Sequence, residues 1–363
     1  MTDPSFRPAG ILDAKAAEQL IVSMTGSRPY VLDFSEVESI QFAALRRLLN
    51  ARRAGRRFSI VNASDAVVER FTDSGVGGFI DVSRKPKPLD ASRYEEFGAS
   101  FLSKSYNSVD GDAMMKIYGP NVSPEMVAQE KAVARAVLRF GLPTPLVGTI
   151  YSDGGRTALD FERIAGKRSF SRIIAEEPQR LEEISRRFAR MCRQLHATPC
   201  DTALFNDRAL AHRQAVLRCD GLSEAEKEAV LRFVDAIPAA TTCLHGDLQM
   251  SNVIMTPEGE DLWIDLGDFG YGHPLLDVAM WYFLTILNTE ERARQLFHLG
   301  LSELRQIWDF FAEEYAGASS QEEKEAFAQQ VLPYAALHMI YLGVTYGFQP
   351  GMLDFVKSVL CRP

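Results

Sequence analysis

The sequence lacks the features that mark several classes of protein. Its 363 residues contain an odd number of cysteines, and no two of them form a C-x-x-C pair. This argues against a disulfide framework or a zinc site and favours a reducing compartment. The first ten residues show no basic-then-apolar signal pattern, so we expect a cytoplasmic protein. The five cysteines are Cys192, Cys200, Cys219, Cys243 and Cys361.

Long uninterrupted hydrophobic runs are also missing. The two longest apolar stretches cover residues 278–287 and 331–348. The first is too short to span a bilayer, and Pro333, His338 and two glycines interrupt the second. Both are therefore predicted to be buried helices, and no membrane association is expected.

An excess of positive charge is absent as well. The formal net charge is -8, and it is unevenly distributed. Residues 1–90 carry thirteen Lys and Arg against eleven Asp and Glu, a net charge of +2, which leaves -10 for the remainder. A chain this acidic is not expected to bind nucleic acid through its general surface.

The order of the predicted elements divides the chain into parts. Residues 1–85 alternate strand patterns at 30–34 and 58–62 with helical patterns at 14–24, 42–54 and 66–72, which predicts a small α/β domain. The proline-containing segment 86–93 has the composition of a linker. Residues 94–166 predict strands and a helix over 124–140, and residues 167–363 are predicted to be mostly helical.

Two local patterns support the helices of the last part. Leu181, Ile184, Phe188, Met191 and Leu195 form one apolar stripe at helical spacing. Ser223 and Glu226 have the spacing of a capping box at the start of the next helix. Aromatic residues further along are interpreted as core packing rather than as a cage for a cationic substrate. They are Trp281, Tyr282, Tyr334, Tyr341 and Tyr346.

The stretch most informative about chemistry is Leu244-His-Gly-Asp-Leu-Gln-Met-Ser-Asn252, followed by Trp263-Ile-Asp-Leu-Gly-Asp268. Phosphoryl transfer requires a carboxylate near the attacking hydroxyl, ligands for Mg²⁺ and cations for the phosphates. Asp247 lies in a predicted loop, and Asn252 and Asp265 supply hard oxygen ligands of the kind that Mg²⁺ prefers.

This run resembles the catalytic and metal-binding segments of the aminoglycoside phosphotransferase and choline kinase group, which shares the protein-kinase fold. The resemblance implies that Asp247 is the catalytic base, that Asn252 and Asp265 bind Mg²⁺, and that His245 and Asp277 are structural residues near the site. It implies an α+β, bilobal protein-kinase-like fold, with a β-rich N-lobe at 94–166 and a helical C-lobe at 167–363.

The same resemblance extends upstream to the nucleotide. Lys116 resembles the strand lysine that pairs with the α- and β-phosphates, and Glu130 resembles its ion-pair partner on the following helix. The phosphate loop would contain Gly98, Ser100 and Ser103, although an ordinary turn accounts for these three residues equally well. The segment containing Phe161 and Ile164 resembles the hinge that contacts the purine of ATP or GTP.

Residues 1–85 resemble a degenerate STAS domain, the fold of bacterial anti-sigma-factor antagonists. The resemblance is carried by Val31-Leu-Asp-Phe-Ser-Glu-Val37 and the helix after it. Gly10-Ile-Leu-Asp-Ala14 matches the start of the first helix of that fold, so most of its opening strands are expected to be missing. Gln41 and Ala43 occupy the positions of the phosphorylated motif, so the phospho-switch is absent. The domain would then be a docking or dimerisation module or a structural relic.

Three functions remain open at this stage. The first is a small-molecule phosphotransferase that transfers the γ-phosphoryl group of Mg-ATP or Mg-GTP to a substrate hydroxyl. The second is a nucleotide-binding signalling module that docks a protein partner through the STAS-like domain and transfers nothing. The third is an atypical protein kinase, a class that also lacks an activation loop, for which the interval between Asp265 and Asp277 leaves no room; this function would need an open groove where a closed pocket is expected. The complete ordered set of motifs favours the first.

Overall fold

The structure is a computed structural model that describes residues 7–25, 29–99, 103–109, 111 and 113–361. The chain divides into two compact units, each with its own set of elements. The first comprises Met1–Arg139 and Pro145–Ile164, and the second comprises Phe140–Thr144 and Ala165–Pro363. Each of the five cysteines lies in the described residues and is a free thiol, as the cysteine pattern predicted.

The first unit begins with alternating strands and helices. Strands β2, β4 and β5 form a parallel three-stranded sheet in the order β2-β4-β5, and β1 pairs with β3 in parallel. Apolar residues of α1, α2 and α3 bury one face of this part around Leu32, Phe34 and Ile60. The elements are β1 (Ala9–Leu12), α1 (Ala14–Ser23), β2 (Tyr30–Asp33), β3 (Glu36–Ile40), α2 (Phe42–Arg53), β4 (Phe58–Ala63), α3 (Asp65–Asp73) and β5 (Val82–Arg84).

One local prediction needs correction here. Gly10–Leu12 was predicted to belong to the start of the first helix, but these residues form β1 and pair with β3. Helix α1 begins only at Ala14, because the Asp13 side chain caps it by accepting a hydrogen bond from the Ala16 N–H at 2.8 Å. Two apolar residues that precede a capping aspartate fit a strand as well as a helix, and the pairing partner 25 or more residues away decided the outcome.

The rest of the first unit is a six-stranded sheet with one long helix. The sheet order is β6-β10-β11-β9-β8-β7, and every pairing in it is antiparallel except that of β6 with β10. The segment 86–93, predicted as a linker, thus contributes a short edge strand. The elements are β6 (Lys87–Pro88), β7 (Tyr94–Ala99), β8 (Ser103–Ser108), β9 (Ala113–Tyr118), α4 (Pro124–Arg139), β10 (Val147–Ser152) and β11 (Thr157–Glu162).

Helix α4 packs against both sheets of the first unit. Val127 and Ala128 of α4 share a buried cluster with Val61 of β4 on one side and with Ile150 and Leu159 of β10 and β11 on the other. The Arg135 guanidinium of α4 also forms a 3.0 Å ion pair with the Asp81 carboxylate, which is almost fully buried. The helix that carries Glu130 is therefore enclosed by the N-terminal α/β part as well as by the larger sheet.

The second unit is mostly helical, with two small three-stranded sheets ordered β12-β15-β16 and β13-β17-β14. Its strands are β12 (Arg168–Ser169), β13 (Asn206–Asp207), β14 (Thr242–Leu244), β15 (Val253–Met255), β16 (Asp261–Trp263) and β17 (Gly270–Gly272). Its helices are α5 (Phe170–Glu176), α6 (Leu181–Ala197), α7 (Arg208–Arg218), α8 (Glu224–Ala236), α9 (Leu275–Ile286), α10 (Glu290–Phe297), α11 (Leu301–Ala316), α12 (Gln321–Tyr346) and α13 (Met352–Leu360).

Helix α6 supplies the centre of this core, and the predicted stripe is buried along its whole length. The Phe188 ring lies 5.1 Å from the Trp281 ring and 5.9 Å from the Phe311 ring, measured between centroids. The predicted capping box of Ser223 and Glu226 is present at the start of α8. These features are local, and the sequence therefore predicted them correctly.

The predicted aromatic core is correct in part. Trp281, Tyr282 and Tyr334 are buried, but the Tyr346 side chain is 73% exposed at the end of α12. The apolar run that contains Pro333 is one segment of α12, and no helix in the described residues is long and apolar enough to cross a membrane.

Candidate active site

The candidate catalytic loop follows β14 directly and ends in a single 3-10 turn, Met250–Asn252, that leads into β15. Asp247 lies in the middle of this loop. Its carboxylate oxygen Oδ2 accepts hydrogen bonds from the Gln249 side-chain amide and from the Asn252 side-chain amide, each at 2.9 Å. Two side chains of the same loop, Gln249 and Asn252, therefore fix the orientation of the Asp247 carboxylate.

The surroundings of Asp247 change its acidity. Burial raises the pKa of the Asp247 carboxyl above its ordinary value of 3.8, and the nearby negative charge of Asp265 acts in the same direction. The hydrogen bonds from Gln249 and Asn252 oppose this change but do not cancel it. A carboxylate with a raised pKa is a better proton acceptor near neutral pH than an ordinary aspartate.

Gly246 is required by the backbone of the loop. Its φ angle is +84°, in the left-handed region that side chains disfavour. A Cβ atom at this position would lie 2.1 Å from the Asp268 carbonyl oxygen. The close approach of the loop to the Asp265–Asp268 segment therefore leaves room only for glycine, which accounts for the glycine between His245 and Asp247.

The buried carboxylate of Asp277, near the start of α9, anchors the catalytic loop through hydrogen bonds to its backbone. It accepts hydrogen bonds from the His245 N–H at 2.6 Å and from the Gly246 N–H at 2.8 Å. The His196 Nε2 atom lies 3.1 Å from the same carboxylate, and its Nδ1 atom lies 2.7 Å from the Tyr315 hydroxyl. Burial opposes the charge of Asp277, but these hydrogen bonds and His196 outweigh it and lower the pKa of Asp277.

His245 ties the loop to the segment that carries Asp265. Its imidazole is fully buried, its Nε2 atom donates to the Ile264 carbonyl oxygen at 3.0 Å, and its Nδ1 atom accepts from the Asp247 N–H at 3.4 Å. In this arrangement Nε2 is the donor and Nδ1 is the acceptor. Because Ile264 precedes Asp265, the imidazole sets the spacing between the two predicted functional aspartates.

Asn252 and Asp265 have the chemistry of a magnesium site. The Asn252 amide nitrogen donates to the Asp247 carbonyl and carboxylate oxygens at 2.9 Å, so its oxygen is the atom suited to a cation. Asp265 adopts a left-handed backbone conformation with φ +59°, which few non-glycine residues adopt. In the described part of the chain no group of three His, Cys, Asp or Glu side chains forms a metal cluster. The two residues present fit Mg²⁺, which takes few protein ligands and completes its shell with phosphates and water.

The predicted nucleotide residues lie in the first unit. The Lys116 ammonium on β9 forms a 2.9 Å ion pair with the Glu130 carboxylate on α4, and about one-fifth of each side chain is exposed. The pair thus forms as the sequence predicted. Phe161 lies in β11 opposite Met114, and Ile164 is the last residue before the chain passes into the second unit.

The predicted phosphate loop corresponds to the connection between β7 and β8. Gly98 lies within β7 and pairs with Ser105 next to an irregularity of the register, and Ser103 is the buried first residue of β8. Ser100 lies outside the described residues. Two paired antiparallel strands on either side of this connection are compatible with a glycine-containing phosphate loop, whose role stays a prediction.

Sequence reasoning missed three polar residues near the loop. Gln249, to which no role was assigned, bonds directly to Asp247. Arg208 of α7 is almost fully buried and forms a 3.2 Å ion pair with Asp268, whose carbonyl oxygen packs against Gly246. Asp268 and Arg208 are 60 residues apart, so only the closeness of Asp268 to Asp265 gave any signal in the sequence.

A β-rich unit with a Lys–Glu pair, together with a helical unit whose buried aspartate loop precedes a second aspartate, defines a kinase-like phosphotransferase fold. Residues 95–313 match the phosphotransferase enzyme family, APH. The match covers more than half of the chain, and the protein therefore belongs to this family. It is a phosphotransferase enzyme.

Several solved structures are similar to this chain. An aminoglycoside-3′-phosphotransferase of type VIII is 20% identical, with 66% of this chain and 93% of that chain covered and a TM-score of 0.46. An aminoglycoside phosphotransferase from Streptomyces rimosus, in complex with ADP and streptomycin, is 20% identical, with 68% and 94% covered and a TM-score of 0.44. A choline kinase from Streptococcus pneumoniae is 14% identical, with 81% and 98% covered and a TM-score of 0.44. No curated protein matches the sequence.

Proposed function

We propose that this protein transfers the γ-phosphoryl group of ATP to a hydroxyl group of a small molecule, with Asp247 as the catalytic base. The observation that carries the proposal is the Asp247 carboxylate, enclosed, oriented by two amides and raised in pKa. In the reaction Asp247 takes the proton of the hydroxyl, the hydroxyl oxygen forms a bond to the γ-phosphorus, and the bond to the bridging oxygen breaks to release ADP.

The remaining residues have supporting roles in this proposal. Lys116, held by Glu130, binds the α- and β-phosphates, and the backbone around Gly98, Ser100 and Ser103 covers them. Phe161 and Ile164 contact the purine. Asn252 and Asp265 hold Mg²⁺, which neutralises charge on the phosphates when bound. ATP is proposed as the donor, and GTP is tested as the alternative.

The charge near Asp247 suggests the class of acceptor. Most of the Tyr346 ring is exposed, but partial desolvation of its phenol raises the pKa, and the negative charges of Asp268, Asp247 and Asp265 raise it further. Three carboxylates are therefore close enough to act on one side chain at the surface of the second unit. We expect such a site to favour an acceptor that carries hydroxyl groups together with positive charge.

The finer assignment of the N-terminal part belongs to the same proposal. We assign residues 1–85 to a degenerate STAS-like domain, 86–93 to a connecting segment, 94–166 to the N-lobe and 167–363 to the C-lobe. The parallel order β2-β4-β5 with helices on one face supports the first assignment. A cytoplasmic location stays a prediction, as does self-association or docking of a protein through residues 1–85. Self-association is checked by the molar mass of the full chain in solution.

The experiment that tests the proposed function is a phosphate-transfer screen. The protein is incubated with Mg²⁺ and ATP, or GTP, and a metabolite pool that includes hydroxylated amines, and mass spectrometry detects compounds that gain a phosphoryl group. The Asp247→Asn variant is the test of the base, and the Asp220→Asn variant, at an exposed aspartate of the same unit, is the matched control.

We expect product with the unmodified protein and with Asp220→Asn. Loss of the base should slow transfer by about 10²–10⁴-fold in Asp247→Asn, because proton transfer to a positioned base contributes about that much. Equal turnover by Asp247→Asn would exclude the proposed role of Asp247. Absence of any product with either nucleotide, together with a rise in Tm on adding nucleotide, would favour the nucleotide-binding module that transfers nothing.

A further inference from the structure

A second concave site lies in the first unit, and none of its lining residues belongs to the catalytic loop. It has a volume of about 760 Å³. Its walls come from the end of β4, the first turns of α3, β5, α4 and β10. The pocket is thus formed jointly by the N-terminal α/β part and by the helix that carries Glu130. None of the roles proposed above uses it.

Five cationic side chains line this pocket. They are Arg84, Lys85, Lys87, Lys131 and Arg135. Three carboxylates accompany them: Asp65 pairs with Arg84 at 2.7 Å, Asp81 pairs with Arg135 at 3.0 Å, and Asp160 accepts a hydrogen bond from the Tyr151 hydroxyl at 3.1 Å. Among the lining residues themselves, five are cationic and one, Asp65, is acidic, so positive charge is in excess.

The surplus is concentrated on the three lysines. Lys85, Lys87 and Lys131 form no ion pair within 4 Å with any residue that the structure describes. Lys85 and Lys87 are exposed, whereas Lys131 is half-buried in the wall. Burial lowers the pKa of the Lys131 ammonium, and the charge of Arg135 adds to this effect. A bound anion would relieve both effects.

The lining also contains groups that suit the organic part of a ligand. Val68, Val82, Val147 and Ile150 form apolar walls, and the hydroxyls of Ser64 and Thr149 lie among them. The mixture of a few convergent polar groups with apolar walls is typical of sites for small molecules, and the volume falls in the range of such sites.

We propose that this pocket binds an organic phosphate, with the phosphate at Lys85, Lys87 and Lys131 and the organic part against the valine and isoleucine walls. A phosphate monoester carries close to two negative charges at neutral pH, which the excess of positive charge among the lining residues would stabilise. Lysine ammonium groups bind phosphate as point charges. The site is distinct from the nucleotide residues, because Lys116 and Glu130 are not among its lining residues.

The position of the pocket connects it to the nucleotide residues. Lys131 follows Glu130 directly on α4, and Arg135 lies one turn further along. A ligand held by Lys131 would restrain the helix that positions Glu130 against Lys116. We therefore expect the occupied pocket to increase the affinity for ATP; this expectation rests on the proposed role of Lys116, whereas binding of the phosphate does not.

The test uses the full chain and phenyl phosphate as the probe, with isothermal titration calorimetry at low ionic strength and no added nucleotide. We expect saturable binding to one site. Lys85→Glu/Lys87→Glu should weaken it at least about tenfold by reversing two charges. Lys131→Gln should weaken binding as well. If the half-buried position of Lys131 does not tolerate substitution, the Lys85→Glu/Lys87→Glu variant, at two exposed positions, still tests the proposal. The matched control is Lys15→Glu/Arg46→Glu, two exposed cations of the same unit that do not line the pocket.

The outcomes distinguish binding in this pocket from binding elsewhere on the chain. Binding that persists in Lys116→Ala and in the control variant, but not in the pocket variants, supports the proposal. Loss in Lys116→Ala with retention in Lys131→Gln places the probe at the nucleotide residues and overturns it, as does equal weakening in the control or no saturable binding at all. The affinity for ATP is then measured with and without phenyl phosphate. If the chain binds the probe and its ATP affinity is unchanged, the expected effect of the pocket on ATP binding is wrong, whereas the proposal that the pocket binds an organic phosphate still holds.

Discussion

Asp247 illustrates how burial can serve chemistry at a cost to stability. Its carboxylate accepts hydrogen bonds from Gln249 and Asn252 but is largely desolvated, and this burial raises its pKa. A carboxyl group with a raised pKa in the folded protein makes the fold less stable wherever it is charged, so it works against folding at neutral pH. Such an arrangement is typical of functional residues rather than of residues that stabilise a fold.

The raised pKa predicts the acid side of the pH profile. Asp247 accepts a proton only as the carboxylate, so kcat/KM should fall as the pH is lowered through its pKa. Because burial raises that pKa above 3.8, the decline should begin at a higher pH than for an ordinary aspartate. The measurement is kcat/KM against pH with the acceptor found in the screen. An acid limb at or below the ordinary value would contradict the described environment.

Gly246 gives a second prediction at the scale of one residue. Gly246→Ala would place a Cβ atom 2.1 Å from the Asp268 carbonyl oxygen at a φ of +84°. We expect a loss of about 1–3 kcal/mol in the free energy of unfolding and a large loss of turnover, because the loop must move away from Asp268. Denaturant unfolding and turnover measure the two effects.

The control for this substitution is Gly78→Ala. Gly78 has no positive φ, and a Cβ atom there would meet no described atom within 4 Å. This variant should keep both its stability and its turnover. If Gly246→Ala kept the same stability and turnover as Gly78→Ala, the described close approach of the catalytic loop to Asp268 would be contradicted.

Between elements, Asp277 joins the start of α9 to the catalytic loop and to the end of α6. The oxygen Oδ1 accepts from the Gly246 N–H, and Oδ2 accepts from the His245 N–H and contacts His196. An asparagine has only one acceptor oxygen. Asp277→Asn therefore places an amide N–H₂ against a backbone donor, whichever way the amide is turned.

We expect Asp277→Asn to lower the free energy of unfolding by about 1–3 kcal/mol at pH 7, the cost of an unsatisfied buried donor. The pKa of Asp277 is lowered in the fold, so its carboxylate stabilises the protein above the ordinary value of 3.8 and loses this effect as the pH falls through the folded pKa. The difference between variant and wild type should thus shrink in strong acid. Asp220→Asn is the surface control, and equal stability of the two variants at pH 7 would contradict the anchoring role.

The elements also show why sequence reasoning succeeded where it did. The stripe of α6 and the capping box of α8 depend on residues within a few positions of one another, so their spacing alone predicts them. The contacts of Asp277 with His196 and of Arg208 with Asp268 join residues 81 and 60 positions apart. No spacing rule reaches that far, and such contacts follow only from tertiary packing.

Tyr346 and Gly10–Leu12 are two places where a prediction from local spacing was wrong because tertiary structure decided the outcome. Tyr346 is predicted to be a core residue together with the other aromatic residues, but α12 ends at this residue and the ring is exposed. The strand β1 exists because β3 is available to pair with it. The family resemblance, in contrast, depended on the order of short motifs, which the sequence shows directly, and membership of the family is confirmed.

At the scale of the whole molecule, the N-terminal part covers α4. Val61 of β4 is buried against Val127 and Ala128 of that helix. Val61→Asp should therefore lower Tm strongly, since a charge would be buried without a partner. It should also increase the fluorescence of a hydrophobic dye.

The matched control is Val22→Asp at a valine that is 66% exposed in the same unit. This substitution should leave both readouts unchanged. A neutral effect of Val61→Asp would mean that the N-terminal part is not needed to cover α4.

The chain passes between the two compact units three times, because the five residues Phe140–Thr144 belong to the second unit while the segments on both sides belong to the first. The short excursion is anchored, since the Trp263 N–H donates to the Pro143 carbonyl oxygen at 2.8 Å. One protease cut after Ile164 would leave no covalent bond between the pieces 1–164 and 165–363, but Phe140–Thr144 of the first piece would remain packed within the second unit. A nicked molecule would migrate as two bands in a denaturing gel and still elute as a single particle under native conditions.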